Sequence, residues 1–136
     1  MKYANYDKKP AILEAIGNGS YFYRWDIKEE RVEHFANNPM ESTSSVGSSK
    51  QPVLVAQWSC LEVIVWGTLT ANKITESVIS AMWGNGVEAK LLNDYNASVL
   101  GVLDNSYTEK YRSFLSRRKL LKEHIDADCV ILNIPL

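Results

Sequence analysis

From Ser20 to Ile27 the chain alternates. Tyr21, Tyr23, Trp25 and Ile27 fall on one face, and Phe22, Arg24 and Asp26 on the other. Aromatic side chains at a period of two predict a strand, continuing in more polar form to about Val32. A second such stretch runs from Pro52 to Leu69, where Trp58, Cys60, Ile64 and Trp66 alternate with Leu61, Val63 and Val65. Both of its faces are apolar, as in a strand covered on both sides or one that meets a partner. Glu62 shares the face of Cys60 and Ile64, and a carboxylate there is costly unless paired or solvated. The pairing predicted is cross-strand, with Arg24. The plainer reading is an exposed strand face carrying an ordinary ion pair. Between the strands, residues 34–51 hold five serines and few apolar side chains. Such a segment buries too little surface to offset its ordering entropy, so a mobile hairpin loop is expected there.

Helical spacing occupies most of the remainder. Pro10 to Ile16 reads as a short helix, with Pro10 in its first turn, Ile12, Leu13 and Ile16 on one face, and Gly17 ending it. Thr70 is suited to cap a helix from Ala71 to Met82 or Trp83, whose apolar side is Ile74, Val78, Ile79 and Met82. Gly84-Asn85-Gly86 stops it. A second helix is predicted from about Val87 to Leu100, with Val87, Leu91, Tyr95 and Val99 in a stripe. Ser106-x-x-Glu109 has the form of a capping box. The third helix should start there and reach Asp126 or Asp128, with Tyr107, Tyr111, Phe114, Leu121 and Ile125 along one side and Arg118 at one step. The apolar tail Val130–Leu136 is expected as a last short strand or a docking arm. Together these elements predict an α+β fold. An antiparallel β-hairpin, with the tail as a candidate third strand, packs against three to four α-helices in a single domain over residues 1–136.

Composition narrows the setting. A chain of 136 residues supports one core without staples. A net charge of -1 provides no global field for nucleic acid or an anionic membrane. No apolar run approaches the roughly 18 residues of a membrane span, and the polar start Met1–Asp7 lacks the apolar core of a signal peptide. Two cysteines, Cys60 and Cys129, are few for a disulfide framework, so reduced thiols are expected. An intracellular location is therefore expected.

Few residues suggest chemistry. Gly17-Asn18-Gly19 precedes a strand and follows the short predicted helix, the reverse of the order a phosphate loop requires. His34, Cys60, His124 and Cys129 are scattered rather than in the close pairs typical of zinc sites. The expectation is a core thiol at Cys60, surface imidazoles, no metal and no cofactor. A Cys60–His124 nucleophile pair depends on the fold bringing them together. Lys110, Arg112, Arg117, Arg118, Lys119 and Lys122 place six basic residues within thirteen positions with no acid among them. This suits either a nucleic-acid face or a solvated helix face. Trp25, Trp58, Trp66 and Trp83 are candidates for an interaction surface, since tryptophan serves both cores and interface anchors.

Gly17-Asn18-Gly19-Ser20-Tyr21 followed by Arg24-Trp25-Asp26 resembles an element of small proteins from phage tail gene clusters, the XkdW type. Segments such as Gln57-Trp58-Ser59-Cys60, Asn72-Lys73-Ile74-Thr75-Glu76 and Asp94-Tyr95-Asn96-Ala97 resemble uncharacterised proteins carried by prophages. The long serine-rich loop and second aromatic strand depart from the XkdW pattern. The resemblance implies a non-enzymatic accessory or assembly protein of a tail or tail-fibre region, whose partner is a phage structural protein or a second copy of the chain. It brings no catalytic residues. The alternatives are a nucleic-acid-binding accessory protein using the basic third helix, and an enzyme built around Cys60 or Glu62.

Overall fold

The computed structural model describes residues 1–34 and 53–136. The loop expected over 34–51 lies, apart from His34, outside the described residues. The fold is α+β. Its order is β1 (Ala4–Tyr6), β2 (Leu13–Ala15), β3 (Ser20–His34), β4 (Val53–Trp66), α1 (Ala71–Trp83), α2 (Val87–Val99) and α3 (Ser106–Leu132). The strands form one antiparallel sheet in the order β1-β4-β3-β2. The two long strands are neighbours, as the alternation predicted, and a short strand borders each.

Two expectations are corrected. Residues 10–16 are not a helix: β2 pairs with β3 in the register Leu13↔Tyr23, Glu14↔Phe22 and Ala15↔Tyr21. Seven residues are too few to sustain an isolated helix. The turn that follows favours pairing instead. Gly17 and Gly19 both take positive φ, 98° and 82°, and the Ile16 amide donates to the Ser20 carbonyl at 3.0 Å. Among the described residues there are therefore three helices, not four. The tail is not a strand either. Helix α3 continues through the β-branched Val130 and Ile131 to Leu132, where Asn133 adopts the left-handed conformation and the Ile134 amide donates to the Cys129 carbonyl at 2.9 Å. Ile134 is buried and the Pro135 carbonyl accepts from the Ala71 amide at 2.8 Å. The tail is thus a docking arm against the start of α1.

The described residues form two compact units. One comprises Ile12–Tyr23 and Val63–Leu136 together with Met1. Its core is built from Tyr23 and Val65 of the strands, Ile74 and Val78 of α1, and Phe114, Ile125 and Cys129 of α3, all buried. Helix α3 packs against both α1 and α2, with its buried or half-buried positions on the predicted side, Arg118 included. Thr70 caps α1 as expected, accepting from the Lys73 amide at 3.1 Å. The start of α3 differs from the capping-box expectation. Asp104 accepts from the Ser106 amide at 2.9 Å and also from its hydroxyl, while Glu109 pairs with Arg112. Those Ser106 bonds hold the Asp104 carboxyl below the usual carboxylate range.

The second unit comprises Lys2–Ala11 and, among the described residues, 24–34 and 53–62. In it β1 pairs with β4 in the register Ala4↔Cys60, Asn5↔Ser59 and Tyr6↔Trp58. Asp26 takes a φ of 52° within β3. A left-handed residue inside a strand interrupts the two-residue period, and the adjacent Arg24 and Trp25 are both buried.

Candidate functional site

Three groups of side chains carry the chemistry of the described residues. The first lies in the unit containing β1. Arg24 Nε donates to Glu62 Oε2 at 2.9 Å, its Nη1 donates to the Ala11 carbonyl at 3.2 Å, and its Nη2 donates to the Tyr6 hydroxyl at 3.2 Å. Tyr6 in turn donates to Glu62, and the guanidinium lies 4.8 Å from the Tyr6 ring centre. The cross-strand pair predicted from residue parity is present, but it is not the exposed surface pair of the plainer reading, because Arg24 is buried. Burial, then the bond to Glu62, pushes the Tyr6 hydroxyl above its ordinary value. Burial likewise raises the Cys60 thiol, which is fully enclosed. A protonated, enclosed thiol is a poor nucleophile. Cys60 and His124 fall in different units. Sequence reasoning missed Tyr6, because a three-residue strand carries no readable period.

The second group is in the helical unit. Tyr23 donates to Asp128 Oδ2 at 2.6 Å, and His124 Nε2 lies 3.3 Å from the same oxygen. Burial pushes the Tyr23 hydroxyl well up, and the bond to Asp128 adds to this. His124 is exposed, as expected of a surface imidazole. Among the described residues no group of three His, Cys, Asp or Glu side chains is placed to hold a metal ion.

The third group is the end of β4. Val63 and Val65 are buried, whereas Ile64 is 48% and Trp66 56% exposed. Among the described residues β4 has only β1 and β3 as neighbours, and β1 pairs with Trp58–Cys60 alone. Among the described residues, β4 therefore has no strand partner on its β1 side over Ile64–Trp66.

The predicted interaction residues separate accordingly. Trp25 is 7% exposed and lies among the buried apolar side chains. Trp58 is half-buried, with Lys9 Nζ 5.7 Å from its ring centre. Trp83 is half-buried too, edge-on to Phe114 at 5.2 Å with the Arg117 guanidinium 5.1 Å from its ring centre. Trp66 alone of the four is exposed.

All six basic residues of α3 have intramolecular partners. Arg112 lies 2.9 Å from Glu109, Lys119 3.8 Å from Glu123 and Lys122 3.1 Å from Asp126, and Arg118 Nε lies 2.8 Å from Glu88 in charge contact but without hydrogen-bond geometry. Lys110 sits 4.6 Å from the Tyr107 ring centre and Arg117 against Trp83. Acids on α2 and at both ends of the run thus balance much of its charge. Comparison with protein-family models, curated proteins and solved structures finds no match.

Proposed function

We propose that the chain is a non-enzymatic interaction and assembly protein that joins its partner through the open, apolar end of β4. The observation that carries this reading is Trp66: a large aromatic side chain, more than half exposed, near Ile64 at the end of β4 that has no partner on its β1 side among the described residues. Exposed strand edges are normally blunted by lysine, proline or other charge, because free amides and carbonyls recruit another strand. Val63-Ile64-Val65-Trp66 carries none of these. Strand addition uses such an edge, with side chains at alternate positions supplying specificity, and tryptophan is a common interface anchor.

The partner strand is a second copy of the chain. Antiparallel pairing about Val65 sets Ile64 of one copy opposite Trp66 of the other, twice, which is the self-complementarity that a two-fold interface requires. Val99 at the end of α2, Leu100 and Val102 after it, and Val130 and Ile131 late in α3 are also exposed. They lack an aromatic anchor, and helix-end amides beside them are bonded, Leu100 to Asn96 and Ile134 to Cys129. The nucleic-acid alternative is less favoured, because Glu88 on α2 and Glu109, Glu123 and Asp126 on α3 dilute the field of the basic run.

Sedimentation velocity over a wide concentration range tests the reading. Wild-type protein should associate reversibly, and Ile64→Lys/Trp66→Ser should be monomeric with unchanged thermal stability. A wild-type chain that stays monomeric throughout contradicts it. The tail or tail-fibre setting rests on the sequence resemblance and has its own test: wild type, but not the double variant, should co-purify with a structural protein of a phage tail.

A further inference from the structure

A groove of about 390 Å³ opens between α2 and α3. Tyr95 of α2 and Tyr111 of α3 line one side, their ring centres 5.0 Å apart and tilted by 31°. Along α3 the lining continues through Arg112, Leu115, Ser116 and Lys119. These positions form adjacent ridges three and four residues apart, so they share one helix face. Arg112 and Lys119 stand roughly 10 Å apart along the axis, with Leu115 and Ser116 between them.

The chemistry of this lining is one-sided. It has two cations, a pair of phenol rings and a leucine, and no carboxylate. Glu109 and Glu123 hold Arg112 and Lys119 from outside the groove, and all four side chains are well exposed. Ion pairs of that kind contribute little and are readily exchanged for a better-placed anion. One end of the groove is also braced. Ser98 Oγ donates to the Asp104 carbonyl at 2.8 Å and lies 2.9 Å from Thr108 Oγ1, pinning the end of α2 to the start of α3. The volume lies in the range of small-molecule sites and is far below what a folded partner fills.

We propose that this groove binds a small planar aromatic anion, an aryl carboxylate or aryl phosphate, with its ring against Tyr95, Tyr111 and Leu115 and its anionic group between Arg112 and Lys119. Neither half of such a ligand suffices, because the rings offer area without charge and the cations offer charge in open solvent. The site is independent of the β4 edge.

The test is an amide NMR titration of the full chain with 1-naphthyl phosphate and 1-naphthoate, and separately with inorganic phosphate and 1-naphthol. At least one of the two aryl anions should shift resonances of Tyr95, Tyr111, Leu115 and Ser116 saturably at up to millimolar concentration, and which of them binds identifies the anionic group. Inorganic phosphate and 1-naphthol should each bind about tenfold more weakly or worse. Arg112→Gln/Lys119→Gln should weaken the aryl anion by at least about tenfold while keeping the wild-type melting temperature, since both positions are exposed. No saturable shift with either aryl anion, equal binding of 1-naphthol, or binding indifferent to the double substitution overturns the proposal.

Discussion

Arg24 and Glu62 meet across neighbouring strands, Nε to Oε2 at 2.9 Å, with the guanidinium side chain 2% and the carboxylate 23% exposed. Removing one member of a buried pair strands the other, which costs far more than the pair contributes over an apolar replacement. Glu62→Ala should therefore destabilise the chain by about 3 kcal/mol in urea unfolding. Arg24→Met/Glu62→Leu should recover most of that loss. A cost below about 1 kcal/mol for Glu62→Ala places the pair with ordinary surface ion pairs.

The bond from Tyr23 to Asp128 ties β3 to α3 inside the helical unit. Tyr23→Phe should cost about 1–3 kcal/mol, because it leaves a buried carboxylate without one of its donors. The same residue sets an alkaline limit. Its folded-state pKa lies above the ordinary value of 10.0, so near that pH the unfolded chain gives up a proton that the folded chain keeps. This contribution is intact below pH 10 and lost as pH rises beyond it. Tyr23→Phe should flatten the fall in stability above pH 10 by up to about 1.4 kcal/mol per pH unit. Equal slopes for the two proteins contradict this.

Burial raises the Cys60 and Cys129 thiols, and both are fully enclosed. A disulfide-exchange reagent at neutral pH should find no reactive thiol in the native protein and two after denaturation. Rapid modification of either thiol in the native state contradicts their burial.

The C-terminal arm holds the start of α1 through Ile134 and the Pro135 carbonyl. Ending the chain after Leu132 should cost about 2–3 kcal/mol, from one buried aliphatic side chain and one backbone bond. An unchanged melting temperature shows that the arm does not anchor α1.

Much of this fold is legible in the sequence. Strands β3 and β4 and helices α1 and α2 have readable periods; the helices end within a residue or so of their caps and glycines, while β4 stops at Trp66 before Gly67, short of the Leu69 expected. Parity alone placed Glu62 opposite Arg24. Strands β1 and β2 are three residues each, too short for any period, and exist because a long neighbouring strand offers them a partner. The end of α3 is hidden for the opposite reason. Val130-Ile131-Leu132 favours strand by local preference, but a helix already packed through Ile125 and Cys129 continues until Asn133 turns it. Trp66 could not be singled out either. When both faces of a strand are apolar, the pattern does not distinguish a side chain that meets the core from one that meets solvent. Asp26 compounds this in β3, where its left-handed backbone breaks the alternation.

Amide hydrogen exchange of Val63–Trp66 as a function of protein concentration tests the contact assigned to β4 most directly. In dilute solution the amides on the open edge should exchange rapidly. At high concentration they should become protected in wild type but not in Ile64→Lys/Trp66→Ser. Exchange that does not vary with concentration, or protection that survives the double substitution, contradicts the account.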